Sequence, residues 1–471
     1  MSGMNAEIKF GTDGWRAVIS DTFTFKNVEI ISQAIAQWVL RPGKRASGSR
    51  KVAVGFDTRF MSGDYGRLVS QVLAANNIEV LLSEGPIPTP ALSYGVTRNQ
   101  CVAGIMITAS HNPYKFNGIK IKTAQGGGAG RDITDQVEGL LDQVPVKKVD
   151  LDEALKEKKV VLHDFRSDYL NFIKGYVDLK KMKDARFKVI TDAMHGSGNG
   201  LMAVILKGTK IDLTLMRAEI NPYFNGLKPE PVAEFLGEIM ERVRKEKFEI
   251  GLVLDGDADR IAAVAPGGEY IHPQKILGLL ILHLVRNRGR HGGVVKTICG
   301  TTMLDHIAKK LGLKLFETPV GFKYISDLMV SENIVAGGEE AGGMGFQDYI
   351  PERDGTLAGL LLLEMMVYQK KNIKKIINEM EEEFGRYHYL RSDLKIGKKP
   401  FDVGEFGKIK NLLGKKVVDV KDFDGTKLIC EDESWLMLRP SGTEPLVRAY
   451  SESKSLSRAK ELLHYGEKLL R

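Results

Sequence analysis

At 471 residues the chain exceeds the roughly 250–300 at which one hydrophobic core stops growing, so several domains are expected. Its composition, 43% hydrophobic and 27% charged, is that of a soluble globular protein. The net charge of +8 suits an anionic ligand, but the basic excess sits in mixed runs such as "KKVDLDEALKEKK" (147–159) and "KKMKDARFK" (180–188), which read as solvated helix faces and linkers and not as a nucleic-acid surface.

In chain order, the start "MSGMNAEIKFGTDGWRA" has no apolar core of a signal peptide, and none is expected. Short β-branched strands follow in "KVAVGFDTR" (51–59), "EVLLSEG" (79–85) and "VAGIMITAS" (102–110), separated by helical stretches such as "GRLVSQVLAANN". The layout resumes in "FKVITDAMHG" (187–196), "IDLTLMR" (211–217) and "EIGLVLDGDADR" (249–260). It appears a third time in "GGVVKTICG" (292–300), "LKLFETPVG" (313–321) and "IVAGGEEAGG" (334–343). Apolar strands alternating with helices predict parallel or mixed sheets covered on both faces. We therefore expect three α/β modules, 1–165, 166–270 and 271–385, then a compact α+β domain over 386–471 that closes with the helix "SLSRAKELLHYGEKLL".

The apolar runs "ILGLLILHLV" (276–285) and "LAGLLLLEMMVY" (357–368) fall short of the ~18 residues of a membrane helix and read as buried helices. No membrane or nucleic-acid partner is expected, and the sequence is silent on oligomeric state. Cys101, Cys299 and Cys430 are far apart and odd in number, with neither a disulfide framework nor zinc spacing. A reducing, cytoplasmic setting is the expectation.

Ligands of such sheets sit at the carboxyl ends of strands. Each module ends a strand in a polar loop, and the last domain adds "RPSGTEPLVRAY" (439–450), so four loops are expected to share one cleft. In "DGDADR", Asp255, Asp257 and Asp259 stand at i, i+2 and i+4, and a pleated segment would turn all three carboxylates to one face. Such a set needs a cation, and all-oxygen ligands select Mg²⁺, Mn²⁺ or Ca²⁺ over zinc. An EF-hand is excluded, because Arg260 and Pro266 stand where its glycine and glutamate belong.

In "RPSGTEPLVRAY", Arg439, Ser441, Gly442, Thr443 and Arg448 could form a phosphate nest, and an ordinary Pro-Ser-Gly turn is the other reading. "GGEEAGGMG" (337–345) carries neither the Walker lysine nor the dinucleotide spacing, and "HGSGNG" (195–200) also lacks the latter. The carboxylate of Glu339 could accept two sugar hydroxyls; a solvated glutamate in a tight turn explains it equally well. Ser110 lacks the elbow of α/β hydrolases, which argues against acyl transfer. A strand-end serine facing three carboxylates and a cation suits phosphoryl transfer, with His111 and Lys120 beside it to polarise and move protons.

Taken together, "TASHNP", "DGDADR" and "RPSGTEP", with "GTDGWR" (11–16) and "PVGFK" (319–323), make the chain resemble the α-D-phosphohexomutases, the phosphoglucomutase/phosphomannomutase superfamily. The motifs fall in the family's order and span essentially the whole chain. The resemblance implies four domains, heart-shaped around a central cleft, an active-site phosphoserine, Mg²⁺, and a hexose 1,6-bisphosphate that stays bound and turns over. Hexose phosphates are the partners it implies. Ser110 would be the phosphorylated nucleophile and join Asp255, Asp257 and Asp259 around the metal, with Lys120 as acid/base and Arg16 and His111 as neighbours. Arg260 would lie beside the phosphoserine, and Thr318, Gly321 and Lys323 would approach the substrate. Glu339 would grip the 3- and 4-hydroxyls, and Arg439, Ser441, Gly442, Thr443 and Arg448 would hold the distal phosphate.

In many relatives the sugar loop reads Gly-Glu-x-Ser-Gly, often followed by histidine; here Ala341 and Gly343 replace the serine and the histidine. The expected reaction interconverts hexose 1-phosphate and hexose 6-phosphate, with glucose preferred and mannose accepted. Phosphoglucosamine mutase is the alternative. A Mg²⁺-dependent sugar phosphatase and a non-catalytic sugar-phosphate sensor are more remote.

Overall fold

Sheets of one design recur along the first 385 residues. The computed structural model describes residues 8–11, 13–41, 50–395, 403–440 and 446–470. The first sheet contains β1 (Trp15–Val18), β2 (Lys51–Phe56), β3 (Glu79–Ser83), β4 (Ala103–Ile107), β5 (Phe116–Thr123) and β6 (Val160–His163), in the order β1-β5-β4-β2-β3-β6. The second holds β7 (Lys188–Asp192), β8 (Asp212–Met216), β9 (Ile250–Leu254), β10 (Ile261–Ala265) and β11 (Glu269–Ile271), ordered β11-β10-β9-β7-β8. The third holds β12 (Gly293–Thr297), β13 (Lys314–Thr318), β14 (Ile334–Gly338) and β15 (Met344–Phe346), ordered β13-β12-β14-β15.

Each sheet contains a set of three parallel strands in which the first is flanked by the second and the third, and the first sheet adds β6 parallel to β3. In each, the third strand then turns back into an antiparallel partner: β4 into β5, β9 into β10, β14 into β15. The mixed sheets expected from the sequence are present. The return strands, however, are not among the runs the apolar pattern picks out. In β5, lysines alternate with isoleucines, a pattern that reads as half-exposed, yet Lys120 and Lys122 are both buried.

Beyond residue 385 the sheet is wholly antiparallel: β16 (His388–Lys395), β17 (Asn411–Leu412), β18 (Lys415–Lys421), β19 (Thr426–Cys430), β20 (Trp435–Pro440) and β21 (Leu446–Ser453), ordered β16-β21-β20-β19-β18-β17. The helix Leu456–Leu469 covers it through Ala459 and Leu462.

The helix Gly355–Gln369 is buried without a break from Gly355 to Met366, as a segment apolar on all faces must be. Its first turn is capped by Asp354, which accepts from Leu357 N at 2.8 Å. It belongs to a hydrophobic core that runs unbroken from Ala53 and Leu92 through Phe165, Leu252 and Ile261 to Leu361 and Ile376, welding the first three sheets together. The last sheet keeps a core of its own around Leu428, Leu436, Leu438 and Leu462. A small cluster, Ile298, Cys299, Trp435, Met437 and Tyr450, seals it to the third module. Cys101, Cys299 and Cys430 are buried free thiols, and burial pushes Cys101 up to about 12. Among the described residues, no helix is long and apolar enough to cross a membrane.

Lys427 crosses that seam. Its Nζ donates to Ile298 O at 2.9 Å and lies 3.9 Å above the Trp435 ring. Burial, aided by Lys296, pushes its ammonium down to about 8. Between about 8 and 10.5 the unfolded chain holds a proton that the folded chain has released, so this group makes stability rise with pH across that window. Lys427→Met should be more stable than the parent near neutrality, by up to about 3 kcal/mol, and the advantage should shrink toward pH 10.5. Thermal midpoints of both proteins across that range check it; a constant offset at every pH would show that the lysine does not titrate there.

Candidate active site

Three of the polar loops named in the sequence are hairpin connections, β4–β5, β9–β10 and β14–β15, and the fourth is flanked by the paired strands β20 and β21. In the first, Thr108 Oγ1 accepts from Ser110 N at 2.9 Å and donates to Asp57 Oδ2 at 2.6 Å. Ser110 then takes a left-handed conformation, φ +52°, which costs a β-carbon about 1–2 kcal/mol. Arg59 holds the turn. It is buried against Asp57 and donates to the carbonyls of Ser110 (2.5 Å), Asn112 (2.6 Å), Pro113 (3.0 Å) and Phe116 (3.1 Å).

Ser110 Oγ thereby reaches Asp255 Oδ2 at 3.0 Å, with His111 Nδ1 at 3.4 Å. The loops lie close because Gly256 has no side chain: a Cβ there would sit 2.5 Å from Ser110 O. Burial first, and then the cations Arg260 and Arg16, hold His111 well below the usual imidazole range. Its 3.8 Å approach to Glu230 is therefore that of a neutral ring.

Asp255, Asp257 and Asp259 are brought together by a tight turn and not by a pleat, which corrects the strand geometry expected from their spacing. β9 ends at Leu254, Ala258 N donates to Asp255 O at 3.1 Å, and Ala258 takes φ +57°. One oxygen from each carboxylate lies within 4.8 Å of the others. Burial and the two neighbouring aspartates push Asp255 well above the carboxylate range, whereas at Asp257 burial is overcome by Lys120, Thr89 and Arg353 together, which hold it below. Asp257 Oδ1 and Asp259 Oδ1 are buried without a hydrogen-bond partner. Hard, anionic, unused oxygens in one place fit a divalent cation such as Mg²⁺.

Lys120, on β5, points its ammonium at Asp13 (2.9 Å), Asp257 (2.9 Å) and Asp259 (3.0 Å), and these three overcome burial to raise its pKa. Arg16 donates to Asn112 Oδ1 at 2.8 Å and pairs with Asp13 at 3.1 Å. Arg260 is partly buried, with Nε 4.0 Å from Asp259 and Nη1 4.0 Å from Glu230, too far for hydrogen bonds, and so keeps donors for an anion. Glu339, in the β14–β15 loop, is pushed up by burial, against the pull of Arg353 and Arg260.

Thr318 ends β13 and donates to Pro319 O at 3.0 Å, while Gly321, at φ +131°, starts the helix Phe322–Ser331. The charged neighbours of Lys323 are Arg131, Asp327, Asp135 and Asp132. Arg439 and Arg448 are cross-strand partners on β20 and β21. Arg439 donates to Asp424 at 2.9 Å, and Arg448 lies 3.6 Å from Asp393. Asp424 also accepts from Val320 N at 2.7 Å, tying this strand pair to the "PVGFK" loop. Ser441, Gly442 and Thr443, expected at the distal phosphate, lie outside the described residues.

Family models described as phosphoglucomutase/phosphomannomutase alpha/beta/alpha domains I, II and III and C-terminal domain match residues 7–146, 167–268, 272–384 and 393–465. The chain belongs to the phosphoglucomutase/phosphomannomutase family. Its members are mutases, isomerase-class enzymes that move a phosphoryl group. A phosphoglucomutase/phosphomannomutase of Thermococcus kodakarensis is 31% identical over 465 residues, 98% of each chain. A probable phosphoglucosamine mutase of Methanosphaera stadtmanae is 29% identical over 457 residues, 95% of this chain and 94% of that one. The crystal structure of a putative phosphomannomutase from Thermus thermophilus superposes with a TM-score of 0.87 at 32% identity, over 99% of both chains.

Four polar residues at this family site escape the sequence reading. Asp13 bonds Lys120 and Arg16; Thr89 Oγ1 donates to Asp257 at 2.5 Å; Arg59 clamps the serine turn; Arg353 meets Asp13, Asp259 and Glu339. Asp13 stood in the quoted "GTDGWR", and Arg353 in "PERDGT", a loop at the same sheet end as the others. Neither carries a local pattern that marks it.

Proposed function

We propose that the chain interconverts hexose 1-phosphate and hexose 6-phosphate, glucose preferred and mannose accepted, through a phospho-Ser110 enzyme and a hexose 1,6-bisphosphate. The observation that carries this reading is Ser110 itself, held in a strained turn with its Oγ 3.0 Å from a buried carboxylate of the Asp triad. Asp255, Asp257 and Asp259 would hold Mg²⁺, which supplies positive charge against the transferred phosphoryl oxygens.

In the forward half-reaction the bond from phosphorus to Ser110 Oγ breaks as one to the sugar 6-oxygen forms. The 6-hydroxyl proton ends on Ser110 Oγ. His111, neutral and 3.4 Å from that oxygen, is placed to pass the proton, and Lys120 keeps a positive charge beside the triad. Arg260 offers its unbonded donors to the phosphoryl group. The bisphosphate then turns over and returns its other phosphate to Ser110, with Arg439 and Arg448 gripping whichever phosphate lies distal. Glu339 reads the 3- and 4-hydroxyls, which exchange places on that reorientation.

With recognition at carbons 3 and 4, carbon 2 is weakly read. One hydrogen bond made by a single epimer is worth about 0.5–1.5 kcal/mol, or roughly two- to twelve-fold. Glucose 1-phosphate should therefore exceed mannose 1-phosphate in kcat/KM by no more than about that factor. Glucosamine 1-phosphate should be the poorest of the three. The second reading, a phosphoglucosamine mutase, is favoured by the names of several relatives. Kinetics on the three sugars at one bisphosphate concentration decide: a glucosamine preference of about tenfold or more (~1.4 kcal/mol) overturns the glucose assignment.

A further inference from the structure

Glycine at position 343 has no backbone reason. Its φ lies outside the left-handed region that other glycines of the chain occupy. What excludes a side chain is Arg353: a Cβ on Gly343 would fall 2.2 Å from Arg353 Cδ and 2.8 Å from Cγ. The stem of the arginine fills the volume into which a residue at 343 would project.

From that path the guanidinium divides its donors. Nη1 donates to Glu339 Oε2 at 3.2 Å, while Nη2 donates to Asp259 Oδ2 at 2.7 Å and to Asp13 Oδ2 at 2.9 Å. Lys120 touches the same aspartates but not Glu339. Among the described residues, Arg353 is the side chain whose ion pairs join the β14–β15 loop to the aspartates around Ser110. Its seat is rigid: Asp354 caps the buried helix Gly355–Gln369, and the guanidinium carbon lies 5.6 Å from the centre of the Phe322 ring.

We propose that Arg353 is the positioning residue that aims Glu339 at the sugar, and that Gly343 is glycine to let it through. The proposal rests on the reading of Glu339 given above. It assigns to a side chain from the following loop an orienting role that the sugar loop does not fill from its own residues. A planar fork can span two carboxylate sites; a lysine reaches one at a time.

The experiment compares kcat and KM for glucose 1-phosphate and its carbon-4 epimer galactose 1-phosphate in the parent, Arg353→Met, Arg353→Lys, Gly343→Ala, the Gly343→Ala/Arg353→Met double variant and Glu339→Gln. Thermal midpoints confirm that each is folded. Arg353→Met and Gly343→Ala should each cut discrimination against the galactose compound about tenfold or more and lower kcat more than they raise KM. The double variant should be no worse than either single one, because both displace the same guanidinium. Arg353→Lys should fold like the parent and recover only part of the discrimination. Gly343→Ala with parental kcat and discrimination overturns the proposal, as does a double variant whose loss is the product of the single losses. If Glu339→Gln loses discrimination while Arg353→Met keeps it, the proposal fails alone. If Glu339→Gln keeps it, the reading of Glu339 fails and takes the proposal with it.

Discussion

Ser110→Ala should abolish mutase activity, with kcat falling by about 10⁴-fold or more, as when a covalent nucleophile is removed from a site whose binding groups remain. The fold should survive, because alanine keeps the Ser110 N to Thr108 Oγ1 bond and the Arg59 contact to its carbonyl, both of which are made by the backbone. Intact-mass measurement after incubation with glucose 1,6-bisphosphate should show one added phosphoryl group on the parent and none on the variant. Because, among the described residues, the lost hydroxyl bonds only Asp255 and His111, binding of glucose 1-phosphate should change little. A variant that is unphosphorylated and fully active would remove Ser110 from the reaction and require another phosphoryl carrier.

The second large effect belongs to Asp257. Asparagine there keeps an oxygen for Thr89 but loses the charge facing Lys120 and the buried unpartnered Oδ1. Asp257→Asn should lower kcat by about 10²–10³-fold with KM nearly unchanged, because charge neutralisation acts chiefly on the transition state and is worth several kcal/mol. Treatment with EDTA should lower the parent's kcat in the same way, and added Mg²⁺ should restore the parent but not the variant. Activity indifferent both to chelator and to the substitution would mean that Asp257 and Asp259 serve only their protein partners Lys120, Thr89 and Arg353.

How much of this was legible depends on how far apart the cooperating residues lie. Ser110-His111 and the Asp triad are contiguous runs of unusual polarity at the ends of apolar strands, and that contrast survives in one dimension. The apolar and β-branched periods likewise marked the strands that form parallel pairs, except the edge strand β6. The return strand β5 was missed as a strand because its alternating lysines find buried carboxylate partners in other modules, Asp257 and Asp259 for Lys120 and Glu352 for Lys122. Arg353 and Thr89 were invisible for the same reason. Arg353 meets partners 340 and 94 residues away, and Thr89 meets one 168 residues away, distances at which no local pattern operates. The triad's geometry was misjudged for the opposite reason: the spacing was right, but a left-handed residue at Ala258, which alanine rarely adopts, turned a pleat into a loop.

The lysines of β5 also decide whether the first module could exist alone. Lys120 and Lys122 are 2% and 0% exposed, and their partners Asp257, Asp259 and Glu352 are supplied by later parts of the chain. A fragment cut after residue 165 would keep Asp13 but present two lysines beside a surface stripped of the other carboxylates and of the continuous core. Removing the partner of a buried charge costs about 3–5 kcal/mol, so such a fragment would be destabilised although it keeps its own apolar core around Ile31, Leu73, Ile105 and Ile121. Recombination between relatives is constrained in the same way. A transplanted first module must bring its lysines to a recipient whose carboxylates already match them, which makes β5 an inherited key and the later loops its lock.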